Sequence, residues 1–229
     1  MNFLSPILEI FFPTTCVSCG KSVPTQDELF CAHCALGIDF TVYQDPANNE
    51  MTRRLIAMQP LRYAVAMLYF VRNSPIQELM HKIKYHQRSE LAKRIAETFA
   101  EFIKNKLPMS EIDCVTCVPL HAEKKRKRGF NQSEILARTI ADLTGVRFAN
   151  FLTRTHLTET QTHFGRMERL DNQKESLHCN KTVGRVRHLL LIDDVLTTGA
   201  TIETCSDALL TTNPQLQISV ATLSIADNW

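Results

Sequence analysis

The stretch LLLIDDVLTTGAT, residues 189–201, decides the fold of this 229-residue chain. Its four leading apolar residues indicate a buried strand, because short apolar runs bounded by turn signals are typical of sheets covered on both faces. Asp193 and Asp194 stand at the carboxyl end of that strand, and a short loop containing Gly199 opens into a helix from Ala200. A strand, a glycine loop and a helix in succession predict an α/β fold.

The same alternation of strand and helix extends outward from this stretch. We predict strands at 64–70, 114–118, 189–192 and 218–225, with helices at 132–143, ended by Gly145, and at 200–210. Between Ile76 and Phe102, apolar residues recur at helical spacing, which indicates two helices or one broken helix. The pattern predicts a mostly parallel sheet with helices on its faces, where ligands bind at the carboxyl ends of the strands.

The loop after the central strand has the composition of a site for a phosphorylated sugar. Gly199 permits close approach of a ligand to the backbone, and the loop amides and the helix N-terminus favour a phosphate. The two carboxylates are acceptors for vicinal hydroxyls such as those of ribose. The candidate binding residues are Asp193, Asp194, Val195, Leu196, Thr197, Thr198, Gly199, Ala200 and Thr201. The alternative is an acidic turn before a helix cap.

Four of the eight cysteines form two Cys-x-x-Cys pairs near the N-terminus, Cys16 with Cys19 and Cys31 with Cys34. Two such pairs close a tetrahedral four-thiolate site of the structural zinc type, which leaves no coordination position for catalysis. The segment up to about residue 40 has too little apolar mass to order without such a metal. The alternatives are four ordinary cysteines, or replacement of one ligand by His33.

The pair Cys114 and Cys117 has the same spacing but lies in a predicted strand. Residues three apart on a strand point to opposite faces, so we expect these two thiols to be core residues. Cys179 and Cys205 receive the same interpretation.

Composition and charge narrow the class of protein. The chain is 44% hydrophobic with a net charge of +2, which excludes a disordered protein and argues against coating nucleic acid by bulk electrostatics. Its longest apolar stretch is too short to cross a bilayer, and residues 1–13 lack the basic region of a secretory signal, so we expect a cytoplasmic protein without membrane insertion. The polar segment 44–50 marks a boundary between a zinc module at 1–45 and an α/β domain at 46–229.

Five consecutive cations, Lys124 to Arg128, precede Gly129. They read either as a solvated loop or as a contact for a nucleic-acid backbone. Their position after one predicted strand and before a helix puts them at the same sheet edge as the acidic doublet.

Several motifs together resemble the ComF/GntX family of proteins, which join a type I phosphoribosyltransferase domain to an N-terminal zinc ribbon. They are the acidic doublet with its TTGAT loop, Pro119-Leu120-His121, Arg128-Gly129-Phe130-Asn131-Gln132, the set Gln161, Arg166, Arg169 and Asn172, and the four cysteines. This chain lacks further cysteines that family members often carry, and it has only half of the family's doubled Val-Pro step.

The resemblance implies binding of phosphoribosyl pyrophosphate (PRPP) with Mg²⁺, with Arg128 and Gly129 in the pyrophosphate loop. It also implies that a mobile loop within 153–172 closes over the site, with Arg169 as a candidate contact. Asp193, Asp194 and Arg128 are then the candidate catalytic residues, since departure of pyrophosphate leaves an oxocarbenium-like sugar.

Two functions follow from the resemblance. One is a phosphoribosyltransferase whose acceptor the sequence does not identify. The other is a PRPP-sensing or DNA-handling adaptor without turnover, acting in DNA uptake during natural transformation, whose zinc module docks a competence helicase or single-stranded DNA.

Overall fold

The computed structural model describes residues 15–24, 28–55, 61–85, 89–154, 177–179, 183 and 186–226. Its strands are β1 (Leu61–Phe70), β2 (Cys114–Cys117), β3 (Arg147–Phe148), β4 (Leu152–Arg154), β5 (Leu177–Cys179), β6 (His188–Leu196) and β7 (Gln217–Ala226). Five of them form a parallel sheet in the order β1-β7-β6-β2-β3, and β4 and β5 form a separate antiparallel pair. The predicted mostly parallel α/β fold is confirmed.

The helices are α1 (Ala32–Ala35), α2 (Glu50–Arg54), α3 (Pro75–Tyr85), α4 (Ser89–Lys106), α5 (Ala122–Arg128), α6 (Gln132–Thr144) and α7 (Ala200–Thr212). The apolar periodicity between residues 76 and 102 therefore belongs to two helices. Ser74 caps the first of them by accepting a hydrogen bond from the amide of Gln77 at 3.2 Å, and Gly145 ends α6 in the left-handed conformation.

The connections of β2 and β6 diverge, and this divergence positions the candidate site. From β2 the chain crosses through α6 to β3 on one side, whereas from β6 it crosses through α7 to β7 on the other. Right-handed crossovers in opposite directions place their helices on opposite faces of the sheet. The point where the direction changes, between the carboxyl ends of β2 and β6, is where open α/β sheets bind their ligands.

The core of the protein is built on the central strand. Residues 189–192 of β6 are fully buried, as are their neighbours on β7, such as Ile218 and Val220. Burial on both faces explains why the sequence of β6 is continuously apolar up to the acidic doublet.

The segment after the cysteine cluster runs along the outer edge of β1. Phe40 pairs antiparallel with Leu68, the amide of Thr41 donates to the carbonyl of Met67 at 3.0 Å, and the amide of Tyr69 donates to the carbonyl of Asp39 at 2.8 Å. The chain just before the predicted boundary segment thus adds an isolated β-bridge to the free edge of β1. Within the described residues, no helix has the length and apolarity needed to span a bilayer.

Candidate functional site

The acidic doublet lies at the switch point between β2 and β6. β2 ends at Cys117, and the last bond to its neighbour runs from the amide of Val118 to the carbonyl of Ile192 at 2.9 Å. β6 continues to Leu196, paired only with β7, so Asp193 and Asp194 lie within the strand and not after it. Beyond Ile192, no described strand pairs with β6 on its β2 side.

Asp193 is a buried carboxylate with its hydrogen bonds satisfied from within the protein. Its side chain is 9% exposed, and its Oδ1 accepts from Ser133 Oγ at 2.9 Å and from the amide of Asp194 at 2.8 Å. Burial and, next, the neighbouring charge of Asp194 raise the pKa of Asp193 to about 7 against these favourable bonds. This carboxyl therefore titrates near neutral pH.

Asp194 reaches a cation on another element. Its Oδ2 lies 2.9 Å from Nζ of Lys84, in the last turn of α3, and the two side chains are 17% and 26% exposed. The pair is therefore partly exposed to solvent, and the two neighbouring carboxylates of the doublet have different partners.

The loop from Thr197 to Gly199 has the geometry of an anion site. Gly199 has φ +84°, which favours glycine, and a Cβ placed there would lie 2.9 Å from Cδ2 of Leu55, so that leucine methyl would have to move. The first intrahelical bond of α7 runs from the amide of Glu203 to the carbonyl of Gly199 at 2.9 Å. The amides of the first helical turn therefore lack acceptors inside the helix and can bind a phosphate.

The basic run forms the helix α5 and not the expected loop. His121 caps it by accepting from the amide of Glu123 at 3.2 Å, and Gly129 ends it with φ +82°. Lysine, arginine and glutamate are good helix formers, so a capped seven-residue stretch of this composition folds as a helix after β2. Arg128 and Gly129, at the C-terminus of this helix, therefore lie beside the switch point.

A group of cations meets at that point. Burial and then the charges of Arg154 and Arg128 lower the pKa of Lys124, so these three side chains repel one another. Arg154 lies at the end of β4, and its Nε is buried with no hydrogen-bond partner among the described residues. Buried donors without acceptors are uncommon in folded proteins, and this one belongs to a member of the cationic group. An anionic group bound here would accept a hydrogen bond from the buried donor and would offset the positive charge.

Gln132 and Ser133 are consecutive residues at the start of α6. Gln132 is hydrogen-bonded to the cation Arg128, and Ser133 is hydrogen-bonded to Asp193 of the acidic doublet. Gln132 is 5% exposed and its Oε1 accepts from Arg128 Nη1 at 3.3 Å, whereas its Nε2 is buried with no partner among the residues that the structure describes. The next residue, Ser133, makes the bond to Asp193. The start of helix α6 therefore contacts two of the predicted catalytic residues, Arg128 and Asp193, through consecutive side chains.

The cysteine cluster is separate from this crevice and is positioned to bind a metal ion. The Sγ atoms of Cys16, Cys19, Cys31 and Cys34 all lie within 4.8 Å of one another, and those of Cys19 and Cys31 are 3.7 Å apart. Tetrahedral zinc with bonds of about 2.3 Å holds its sulfurs about 3.8 Å apart, so the donor set and its spacing fit this ion. His33 is exposed and is not among the clustered groups.

Each half of the cluster is shaped by a backbone turn. In the first, the amide of Gly20 donates to the carbonyl of Cys16 at 3.0 Å, and in the second, the amide of Ala35 donates to the carbonyl of Cys31 at 2.9 Å. Burial opposes ionisation of Cys16, yet backbone hydrogen bonds from Cys19, Cys31 and Ser18 lower its pKa to about 6, whereas burial raises the pKa of Cys34 in the same cluster to about 12. A thiolate at neutral pH is the form that binds a metal.

The other cysteines lie outside that cluster. Cys114 and Cys117 are buried in β2, as predicted, and burial raises the pKa of Cys117 to about 12. Cys205 is fully buried in α7, whereas Cys179 is only partly buried. Gln161, Arg166, Arg169 and Asn172, with most of the predicted mobile loop, lie outside the described residues.

Sequence reasoning missed Lys84 and Ser133. Lys84 stands in a run of alternating lysines on an amphipathic helix, a pattern that gives no sign of a distant carboxylate. Ser133 directly follows the RGFNQ motif, and that adjacency was the available signal.

Comparisons with known proteins agree with the motifs. No protein-family model matches the chain. DNA utilization protein YhgH of Salmonella typhi is 31% identical over 142 residues, 59% of this chain and 61% of that protein, so the chain spans about three fifths of that relative. Competence protein F of Haemophilus influenzae is 25% identical over 204 residues, 85% of this chain and 83% of that protein. These homologues confirm the resemblance to the ComF/GntX family.

Among solved structures, the xanthine-guanine-hypoxanthine phosphoribosyltransferase of Helicobacter pylori aligns with 61% of this chain and 86% of its own chain. The TM-score is 0.37 and the identity is 13%.

Proposed function

We propose that this relative of the competence F and YhgH proteins binds PRPP, as its Mg²⁺ complex, in the manner of a type I phosphoribosyltransferase. The observation that carries the proposal is the convergence at one switch point of an acidic doublet, a glycine-dependent anion loop and a group of uncompensated cations. Each of the three groups of PRPP has a complementary partner there.

The 5-phosphate is assigned to the loop after β6. Residues 197–199 and the first turn of α7 offer backbone amides, and Thr197 and Thr198 are exposed and add hydroxyls. The pentose then lies over the doublet, where carboxylate oxygens accept from its hydroxyls.

The pyrophosphate group is assigned to the cations beside β2. Arg128, Lys124 and Arg154 supply positive charge, and the unpartnered Gln132 Nε2 and Arg154 Nε supply buried donors. An anion there relieves the repulsion among the cations and satisfies donors that otherwise destabilise the fold.

The chemistry that such a site supports is transfer of the pentosyl group. The bond from the anomeric carbon to the pyrophosphate oxygen breaks, a bond to the acceptor forms, and the acceptor loses a proton. Asp193 and Asp194 stabilise the positive charge that develops on the sugar, while Arg128 offsets charge on the departing pyrophosphate. Mg²⁺ carried by the substrate phosphates adds to that neutralisation.

Calorimetric titration with PRPP and Mg²⁺ tests the binding. We expect saturable binding by the wild type and a loss of at least about 10-fold for Asp194→Asn, since hydrogen bonds to charged groups contribute about 1.5–3 kcal/mol each. Asp142→Asn, an exposed carboxylate on α6, is the matched control and should bind normally. Absence of PRPP binding by the wild type contradicts the proposal.

Turnover is tested separately, by pyrophosphate release in the presence of nucleobases, nucleosides or DNA. Release with one acceptor class identifies a transferase. If PRPP binds but no pyrophosphate is released with any of these acceptors, the second candidate is favoured, a PRPP-sensing or DNA-handling adaptor. For either candidate we propose a cytoplasmic location.

The exposed face of α5 and the names of the relatives favour a DNA-handling role as that second candidate. Lys125, Arg126 and Lys127 are exposed beside the crevice, where a phosphodiester backbone can reach them. A gel shift at low salt that disappears in Arg126→Gln/Lys127→Gln supports DNA contact, and no shift at low salt contradicts it. A competence helicase is the proposed alternative ligand of the zinc module.

We propose further that the cysteine cluster holds a structural zinc ion and that residues 1–45 form a module distinct from residues 46–229. Four thiolates leave no position for a reacting water, so this metal stabilises the fold and takes no part in catalysis.

A further inference from the structure

Helix α3 lies between the cysteine cluster and the acidic doublet. Its last turn carries Lys82 and Lys84, and residues two apart on a helix are about 200° apart around its axis, so their side chains leave opposite sides. Lys84 reaches Oδ2 of Asp194 at 2.9 Å. Lys82 reaches the other way, and its Nζ donates to the carbonyl of Val17. One turn of helix therefore contacts both the doublet and the chain that carries the clustered cysteines.

Val17 links the cysteine cluster to the rest of the protein. It directly follows Cys16, and its amide donates to the carbonyl of Leu29 at 2.9 Å, two residues before Cys31. Its side chain is 9% exposed and packs in the main hydrophobic core, whereas Cys16 packs in a separate small cluster. The carbonyl that Lys82 contacts is therefore positioned by the same stretch of backbone that positions Cys16 and Cys31.

A second contact lies at the other end of α3. A Cβ placed at Gly37 would lie 3.6 Å from Cγ and from Cδ of Pro75, the first residue of the helix. Gly37 comes three residues after Cys34, and its amide donates to the carbonyl of Cys34 at 3.1 Å. Both ends of this 11-residue helix thus contact chain that adjoins the cysteines, while its apolar residues, such as Leu79 and Ile83, are buried in the core.

We propose that Lys82 is a positioning residue. It holds the last turn of α3 against the cysteine cluster and so keeps Lys84 at the acidic doublet, with the result that metal binding and PRPP binding favour each other. This inference rests on the proposed function and on the proposed zinc ion. The ammonium of Lys84 offsets the negative charge of the doublet, which otherwise opposes the phosphates of PRPP.

A rigid helix that contacts two sites can couple them, and such coupling typically changes an affinity about 5- to 150-fold. Coupling between two binding sites is reciprocal. PRPP should therefore raise the affinity for zinc by the same factor by which zinc raises the affinity for PRPP.

The test is calorimetric titration of the full-length protein with PRPP and Mg²⁺, with zinc bound and again after zinc is removed by a chelator that leaves Mg²⁺ free. In the wild type, zinc removal should weaken PRPP binding at least about 5-fold. Zinc-loaded Lys82→Met should bind PRPP at least about 3-fold more weakly than the wild type, and zinc removal should change its affinity less than about 2-fold. Lys82→Arg, which keeps a cationic donor, should regain part of the zinc dependence.

Lys93→Met is the matched control, since Lys93 lies on α4 with a 62% exposed side chain and only a 3.9 Å contact to Glu90. It should keep the wild-type affinity and zinc dependence. Elemental analysis and circular dichroism show that each zinc-loaded protein is folded with its metal. If the metal-free wild type is unfolded, the zinc-loaded proteins decide, and equal PRPP affinities of Lys82→Met and the wild type overturn the inference.

The outcomes separate the inference from the function on which it rests. If the zinc-loaded wild type does not bind PRPP, the proposed function fails and the inference with it. If the wild type binds PRPP equally well without zinc while folded, or if Lys82→Met keeps the full zinc dependence, the role of Lys82 is overturned and the PRPP site stands.

Discussion

Replacement of Asp193 by asparagine should stabilise the protein at neutral and alkaline pH. Burial and the charge of Asp194 raise the pKa of this carboxyl from 3.8 to about 7, which corresponds to a penalty of about 4 kcal/mol when it is ionised in the folded state. Below pH 3.8 the carboxyl is neutral in the folded and unfolded chains, and the penalty vanishes. As the pH rises towards 7 the unfolded chain binds fewer protons than the folded one, so stability falls.

Asparagine removes this penalty and keeps the local bonding. Its Oδ1 still accepts from Ser133 Oγ and from the amide of Asp194, which now meet a neutral amide. We expect Asp193→Asn to raise the free energy of unfolding by up to about 4 kcal/mol at pH 8 and by about 2 kcal/mol at pH 5.5. Urea unfolding at a series of pH values measures the difference, and comparison with the wild type cancels the titration of other groups.

Asp142→Asn is the control for this measurement, because Asp142 is an exposed carboxylate on the same helix as Ser133. Its unfolding free energy should stay within about 0.5 kcal/mol of the wild type throughout. A difference between Asp193→Asn and the wild type that does not change with pH would refute the reasoning, since it would show that Asp193 is ionised without penalty.

Three further substitutions test other parts of the molecule. Gly199→Ala should lower the free energy of unfolding by about 1–3 kcal/mol, and by more than Gly145→Ala, because both have positive φ but only Gly199 also meets a neighbouring side chain; equal losses in urea unfolding would contradict this. Elemental analysis should find about one zinc ion per chain, and Cys34→Ser should lower both metal content and melting temperature; a metal-free, fully folded wild type is the opposing result. Arg128→Gln should weaken binding of inorganic pyrophosphate about 10-fold in calorimetry, whereas Arg138→Gln, whose guanidinium pairs with Glu134, should not. Equal affinities of these two variants for pyrophosphate would contradict the assignment of the pyrophosphate group to the cations of α5.

The structural features that the sequence predicted correctly are those set by residues close together in the chain. The apolar run before Asp193, the glycine that opens α7 and the spacing of the cysteines are local patterns with one favoured structure each. The structure confirms the parallel sheet and the clustering of the four thiols. It also extends β6 through the doublet, because β7 runs beside it to Ala226 and supplies bonds that the sequence of β6 alone does not reveal.

Features that depend on distant contacts were not predicted. Ser133 and Asp193 are 60 residues apart, and their bond exists only because α6 begins where β6 passes the end of β2. The pair of Lys84 and Asp194 likewise depends on the path of α3 relative to the sheet. The helix formed by the basic run could have been predicted from the sequence, because its residues are good helix formers, His121 caps its N-terminus and Gly129 ends it.

The β-bridged segment at residues 39–41 has a consequence for solubility. An open sheet edge presents unpaired amides and carbonyls to which another chain can add, and natural proteins shield such edges. Here the shield over β1 follows directly from the cysteine-rich segment and is held by only a few backbone bonds. Oxidation or chelation that unfolds this segment would expose the edge of β1 around Met67–Tyr69, so we expect metal loss to promote aggregation between copies of the chain.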